Sequence, residues 1–146
     1  MKALKKAPSW IKIAIVLIMI IGVVLTVVKL KDVKKTIETK RSIREYESER
    51  QTWENKGEQP SLQSFNYKQM ATDIWNACDQ WGTDEGLITS TFAKLRNNVD
   101  FISLQEAYGI DDDGMTLQQQ LKDELGPSDI QAINDTLRIK GIAYSI

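Results

Sequence analysis

The chain has no histidine and a single cysteine, Cys78. Without histidine there is no Ser-His or Cys-His hydrolase, no His-ligated zinc site and no imidazole pH switch. One cysteine rules out an internal disulfide framework and a Cys-based zinc cluster. Cys78 falls in register with Ile74 and Trp81 on one helical face, so it is expected as a small buried hydrophobe. Proline is scarce, at 8, 60 and 127 only, and Gly57 is the first glycine after the apolar run that begins the chain. The long charged stretch between them has nothing to break a helix.

What is present is divided. Residues 1–60 carry 13 Lys and Arg against 7 Asp and Glu, a net of +6; residues 61–146 carry 6 against 13, a net of −7. A basic proximal half and an acidic distal half fit a tether at an anionic membrane surface. A nucleic-acid binder should instead have a basic folded domain, so nucleic acid is not expected as a partner.

Within the basic half stands WIKIAIVLIMIIGVVLTVV, residues 10–28, nineteen residues with one charge, Lys12. As a helix it spans roughly 28 Å, about the hydrocarbon thickness of a bilayer. Lys12 sits at the end of the run, where its stem can carry the ammonium to the headgroups, and Trp10 is an interfacial residue at the same level. The run is long for a signal peptide, and TVVKLKDVKK offers no small-residue cleavage site. A transmembrane anchor is therefore expected at 10–28, with Trp10, Lys12, Ile18 and Val28 facing the membrane, after a basic segment at 1–9. Both flanks are basic; taken literally, the positive-inside rule keeps the C-terminal domain in the cytoplasm or in the interior of a virus particle.

Residues 29–60 form a charged juxtamembrane stalk and linker. Glu45 and Glu49 interleave with Arg41, Arg44 and Arg50 at helical spacings, which predicts a solvated helix broken at Gly57, Pro60 and Ser61. Residues 61–146 then read as a compact all-α domain of five helices. Tyr67, Met70, Ala71, Ile74, Cys78 and Trp81 share one face. Gly82 ends that helix and Thr83 is expected to cap the next, with Asp84 and Glu85 in its first turn and Leu87, Ile88, Thr91, Phe92 and Leu95 buried. Asp100 is the expected cap of a third helix closed by Gly109. Thr116 with Gln119 and Ser128 with Gln131 read as capping boxes, the first before Leu117, Leu121 and Leu125, the second before Ile130, Ile133 and Leu137. The tail IAYSI is expected to pack as an extended strap.

The order of helices, the segment WGTDEGLI and the later LKDELG resemble a single annexin repeat, from Tyr67 to about Leu137. Annexins proper have four or more repeats and no span. One repeat behind one span is more similar to the annexin-like single-domain proteins of Bacteroidota bacteria and their phages, where a short membrane anchor precedes one such repeat. The resemblance implies a calcium site at the loop Cys78 to Thr83, with Gly82 in the loop and the carboxylate on Glu124. Gln80 stands where the family has its first loop glycine, the residue that lets carbonyls turn towards the ion.

No other cofactor is expected. Asp111-Asp112-Asp113-Gly114 fails as an EF-hand, since the first and twelfth ligand positions would be Gly109 and Gln120, and it reads as a solvated acidic turn. No phosphate loop, nucleophile or oxyanion hole is visible, and Glu85 and Glu124 make no evident catalytic pair. The expectation is not an enzyme. It is a single-pass membrane protein of the bacterial envelope or the internal membrane of a virion, whose helical domain docks a protein partner such as a capsid or envelope component. The alternative is a calcium-dependent phospholipid-binding module.

Overall fold

The computed structural model describes residues 9–79, 82–111 and 113–146; within its first helix the side chains are described at 16–21, 23, 26, 27, 37 and from 40 onward. The protein is all-helical: α1 (Ser9–Glu54), α2 (Ser64–Cys78), α3 (Glu85–Phe92), α4 (Asn98–Tyr108), α5 (Leu117–Glu124) and α6 (Pro127–Ile139). Among the described residues there is no strand, only an isolated antiparallel bridge between Ile110 and Thr116. The chain divides into two compact units, one ending at Ile37 and one spanning Glu38–Ile146.

In the second unit, α2 packs on α3 and α4, and α3 on α6. Spacings of three and four put Tyr67, Met70, Ala71 and Ile74 on the buried face of α2. Ala77 completes that face with no exposure, while Cys78 is only half-buried. The expected buried thiol is therefore displaced one position round the helix by a smaller neighbour. Leu117 and Leu121 bury one face of α5, whose start is held by the Thr116–Gln119 capping box. The second expected box does not form: Gly126 is the cap and Pro127 the first residue of α6, where its missing N–H costs nothing.

At the centre lies α4, with every residue from Asn98 to Gln105 buried. Its cap is Asn97, whose side chain accepts from the amide of Asp100. Asp100 itself is a hub instead of a cap. Its carboxylate accepts from the Ser61 amide (2.7 Å), the Ser61 hydroxyl (2.6 Å), the Tyr67 hydroxyl (2.6 Å) and the Arg96 amide (2.8 Å). Burial pushes its pKa up, but these hydrogen bonds outweigh burial and hold the carboxyl below its ordinary value.

The far side of α4 is covered by segments that the sequence marks as stalk and tail. Tyr46 is only 8% exposed. Arg50 pairs with Glu106 and donates to the Ser103 hydroxyl at 3.1 Å. The Trp53 indole donates to the Tyr144 hydroxyl (3.0 Å), and Tyr144 stacks on Phe101 with ring centroids 4.9 Å apart. After α1, Gly57 turns the chain at φ +91°, which a side chain would strain. Glu58 then accepts from both the backbone and the side-chain nitrogen of Asn98, at the positive end of α4. The side-chain Oδ1 of Asn98 accepts from the Ala143 amide in turn, so the tail does run as a strap, with Ile142 and Ile146 buried. The later part of the expected solvated stalk thus belongs to the folded unit, whose boundary lies at Glu38 and not at Ser61.

Candidate functional site

The turn from α2 into α3 is where the annexin resemblance implies a calcium site. The C-terminal end of α2 is capped by Asp79, and residues 80 and 81, which include Gln80 and Trp81, lie outside the described residues. Gly82 has φ +93°; a Cβ there would meet no atom within 4 Å, so the demand for glycine is conformational, not steric. Asp84, not Thr83, caps α3, accepting from the Leu87 amide at 2.8 Å. Either residue type makes a good cap. The choice is settled 41 positions away, because Thr83 donates its hydroxyl to the Glu124 carboxylate at 3.0 Å. Of the two expected calcium residues, Glu124 is thereby held to Thr83, the chain neighbour of Gly82.

Beside it opens a cleft of about 300 Å³ lined by Trp75, Cys78, Asp79, Tyr108, Asp111, Asp113, Gln120 and Glu124. Four carboxylates ring it, but among the described residues no three acidic or thiol groups converge to hold a metal ion. Asp111 is buried and already engaged: one oxygen accepts from the amides of Asp113 (3.0 Å) and Met115 (2.8 Å). The expected solvated acidic turn is therefore anchored at its first residue, while Asp112 lies outside the described residues. Burial, then the negative charges of Glu124 and Asp111, push the Cys78 thiol up to about 11. At neutral pH it is a protonated thiol and a poor nucleophile. Burial likewise raises Tyr108, whose hydroxyl has no hydrogen-bond partner among the described residues.

No protein family, curated protein or solved structure matches the chain.

The expected membrane residues lie in the first unit. The side chains of Trp10, Lys12 and Val28, and residues 1–8 altogether, fall outside the described residues. Ile18 is 69% exposed, and its neighbours from Val16 to Ile21 are all exposed. Among the described residues no helix is long and apolar enough to cross a membrane; within 10–28 the described side chains are those of 16–21, 23, 26 and 27.

Sequence reasoning missed Tyr108, Asp111 and Asp113 as companions of Asp79 and Glu124. These residues come from three separate segments, and no periodicity links them. It also missed a groove of about 450 Å³ on another part of the domain, lined by Leu62, Asn66, Gln69, Met70, Asp73, Ala93, Lys94, Arg96 and Lys140.

Proposed function

We propose that the protein is a single-pass membrane-anchored structural or interaction protein, its helical domain serving as a docking module in a bacterial envelope or the internal membrane of a virion. The observation that carries the anchor is the exposure of six consecutive large apolar residues, Val16 to Ile21, on a helix. At about 100° per residue, six positions cover the whole circumference. A surface helix of a soluble domain has one apolar stripe; a helix apolar on every side calls for a surrounding of hydrocarbon. The run continues in sequence to nineteen residues with one charge, between basic flanks. In membrane fractionation the chain is expected in the pellet after an alkaline carbonate wash; its release into the supernatant would refute the anchor.

A second reading is favoured by one observation, the contact of Thr83 with Glu124 beside Gly82. It joins the loop and the carboxylate that the annexin resemblance assigns to calcium. In that reading the domain binds anionic phospholipid through the ion. Gln80 weighs against it, because hard Ca²⁺ needs six to eight oxygens and close carbonyl approach. The docking reading predicts a melting temperature unchanged by millimolar calcium. A rise that Glu124→Gln abolishes would promote the calcium reading, since a ligand bound only by the folded state stabilises it.

A further inference from the structure

The groove beside α2 sits oddly in its domain. Residues 61–146 carry six cations against thirteen acids. Three of those six, Lys94, Arg96 and Lys140, line this one groove. Among the described residues a single carboxylate, Asp73, joins them, and it is occupied by the side-chain amide of Gln69 at 2.8 Å. Lys140 is held in place by donating to the Ala93 carbonyl at 2.8 Å. Lys94 and Arg96 are exposed, with no side-chain ion pair among the described residues. Leu62, Met70 and Ala93 give it apolar lining as well. Phe65 and Ile139, chain neighbours of the lining residues Asn66 and Lys140, are 64% and 82% exposed.

We infer that this groove docks an acidic segment of a partner protein, one that inserts an apolar side chain between its carboxylates. The inference rests on the docking reading above and names its face and its partner's chemistry. Charge complementarity selects the occupant: a basic island on an acidic domain repels other acidic surfaces less and steers an anionic chain to one place. The concavity argues for a chain and against a bilayer, since a bilayer offers a broad surface while a cavity of about 450 Å³ with Leu62 and Met70 in its lining admits a side chain.

The test uses the full chain in nanodiscs of zwitterionic lipid and a panel of short labelled peptides combining Glu and Asp with one apolar residue. Peptides with Gln and Asn in place of the acids serve as the comparison, and binding is read by fluorescence anisotropy. The acidic peptides are expected to bind with an affinity that falls as salt rises. K94E/R96E is expected to weaken them at least about tenfold, while K68E, outside the groove, leaves them unchanged. Both altered side chains of the double variant are exposed, so its circular dichroism should match the parent. Acidic peptides that bind the double variant as well as the parent would overturn the groove assignment and leave the docking reading standing. Failure of both peptide sets to bind the parent would overturn the inference and leave the docking reading, which is tied to no one face, standing. Binding of anionic vesicles, or salt-sensitive self-association lost in K94E/R96E, without peptide binding, would give the groove to lipid or to a second copy and overturn the inference.

Discussion

Asp100 ties together more of the domain than any pattern in its own helix suggests. One carboxylate receives the end of the α1–α2 connection, the first turn of α2 and the turn before α4. Asp100→Asn keeps the shape but turns an acceptor into a donor facing donors. It is expected to cost about 1–3 kcal/mol in denaturant unfolding, the penalty of a buried group left unsatisfied. The sign of the pH effect follows from the depressed pKa. Stability from this group is fully present above its unfolded value, near 4, and is lost as pH falls through the lower folded value. The parent should therefore lose stability below about pH 4 more steeply than Asp100→Asn; parallel pH profiles would contradict the hub. Sequence reasoning assigned Asp100 to a cap because its residue type and position before FISLQEAY permit it. The hub was illegible because its donors lie up to 39 positions away. Thr83 has the same history: the right residue type for a cap, drawn instead to Glu124.

Elements whose two sides differ were legible. The faces of α2 and α5 are written in spacings of three and four, and their buried residues agree, apart from the exchange of Cys78 for Ala77 and from Trp81, which lies outside the described residues. By contrast α4 is buried all round, so it has no stripe to read. Part of its cover comes from the end of α1 and from the tail, where Trp53 and Tyr144 meet across 91 positions. Charged residues at helical spacing looked solvated, yet Arg50 is paired and Tyr46 is buried. The consequence is testable with two fragments. Residues 38–146 should fold as a monomeric helical domain. Residues 61–146 should melt lower by at least about 4–8 °C, the equivalent of ~1 kcal/mol in a domain of this size. Coincident melts would mean that the contacts of Tyr46, Arg50 and Trp53 contribute nothing to the fold.

For the molecule as a whole, charge and hydropathy divide the chain much as the contacts do, into a unit ending at Ile37 and one beginning at Glu38. What composition could not place is the boundary, because charged residues that pack and charged residues that are solvated look alike in sequence. If the apolar helix anchors a docking domain in a membrane, as proposed, charges at its middle should release it. Ile18→Arg with Ile20→Arg puts two charges at the middle of the run, each opposing insertion by roughly 2.5–3.5 kcal/mol. The most direct measurement is alkaline carbonate extraction of the parent and this double variant side by side. The parent is expected to stay in the membrane pellet and the variant to move to the soluble or aggregated fraction. A variant that resists extraction as the parent does would contradict it.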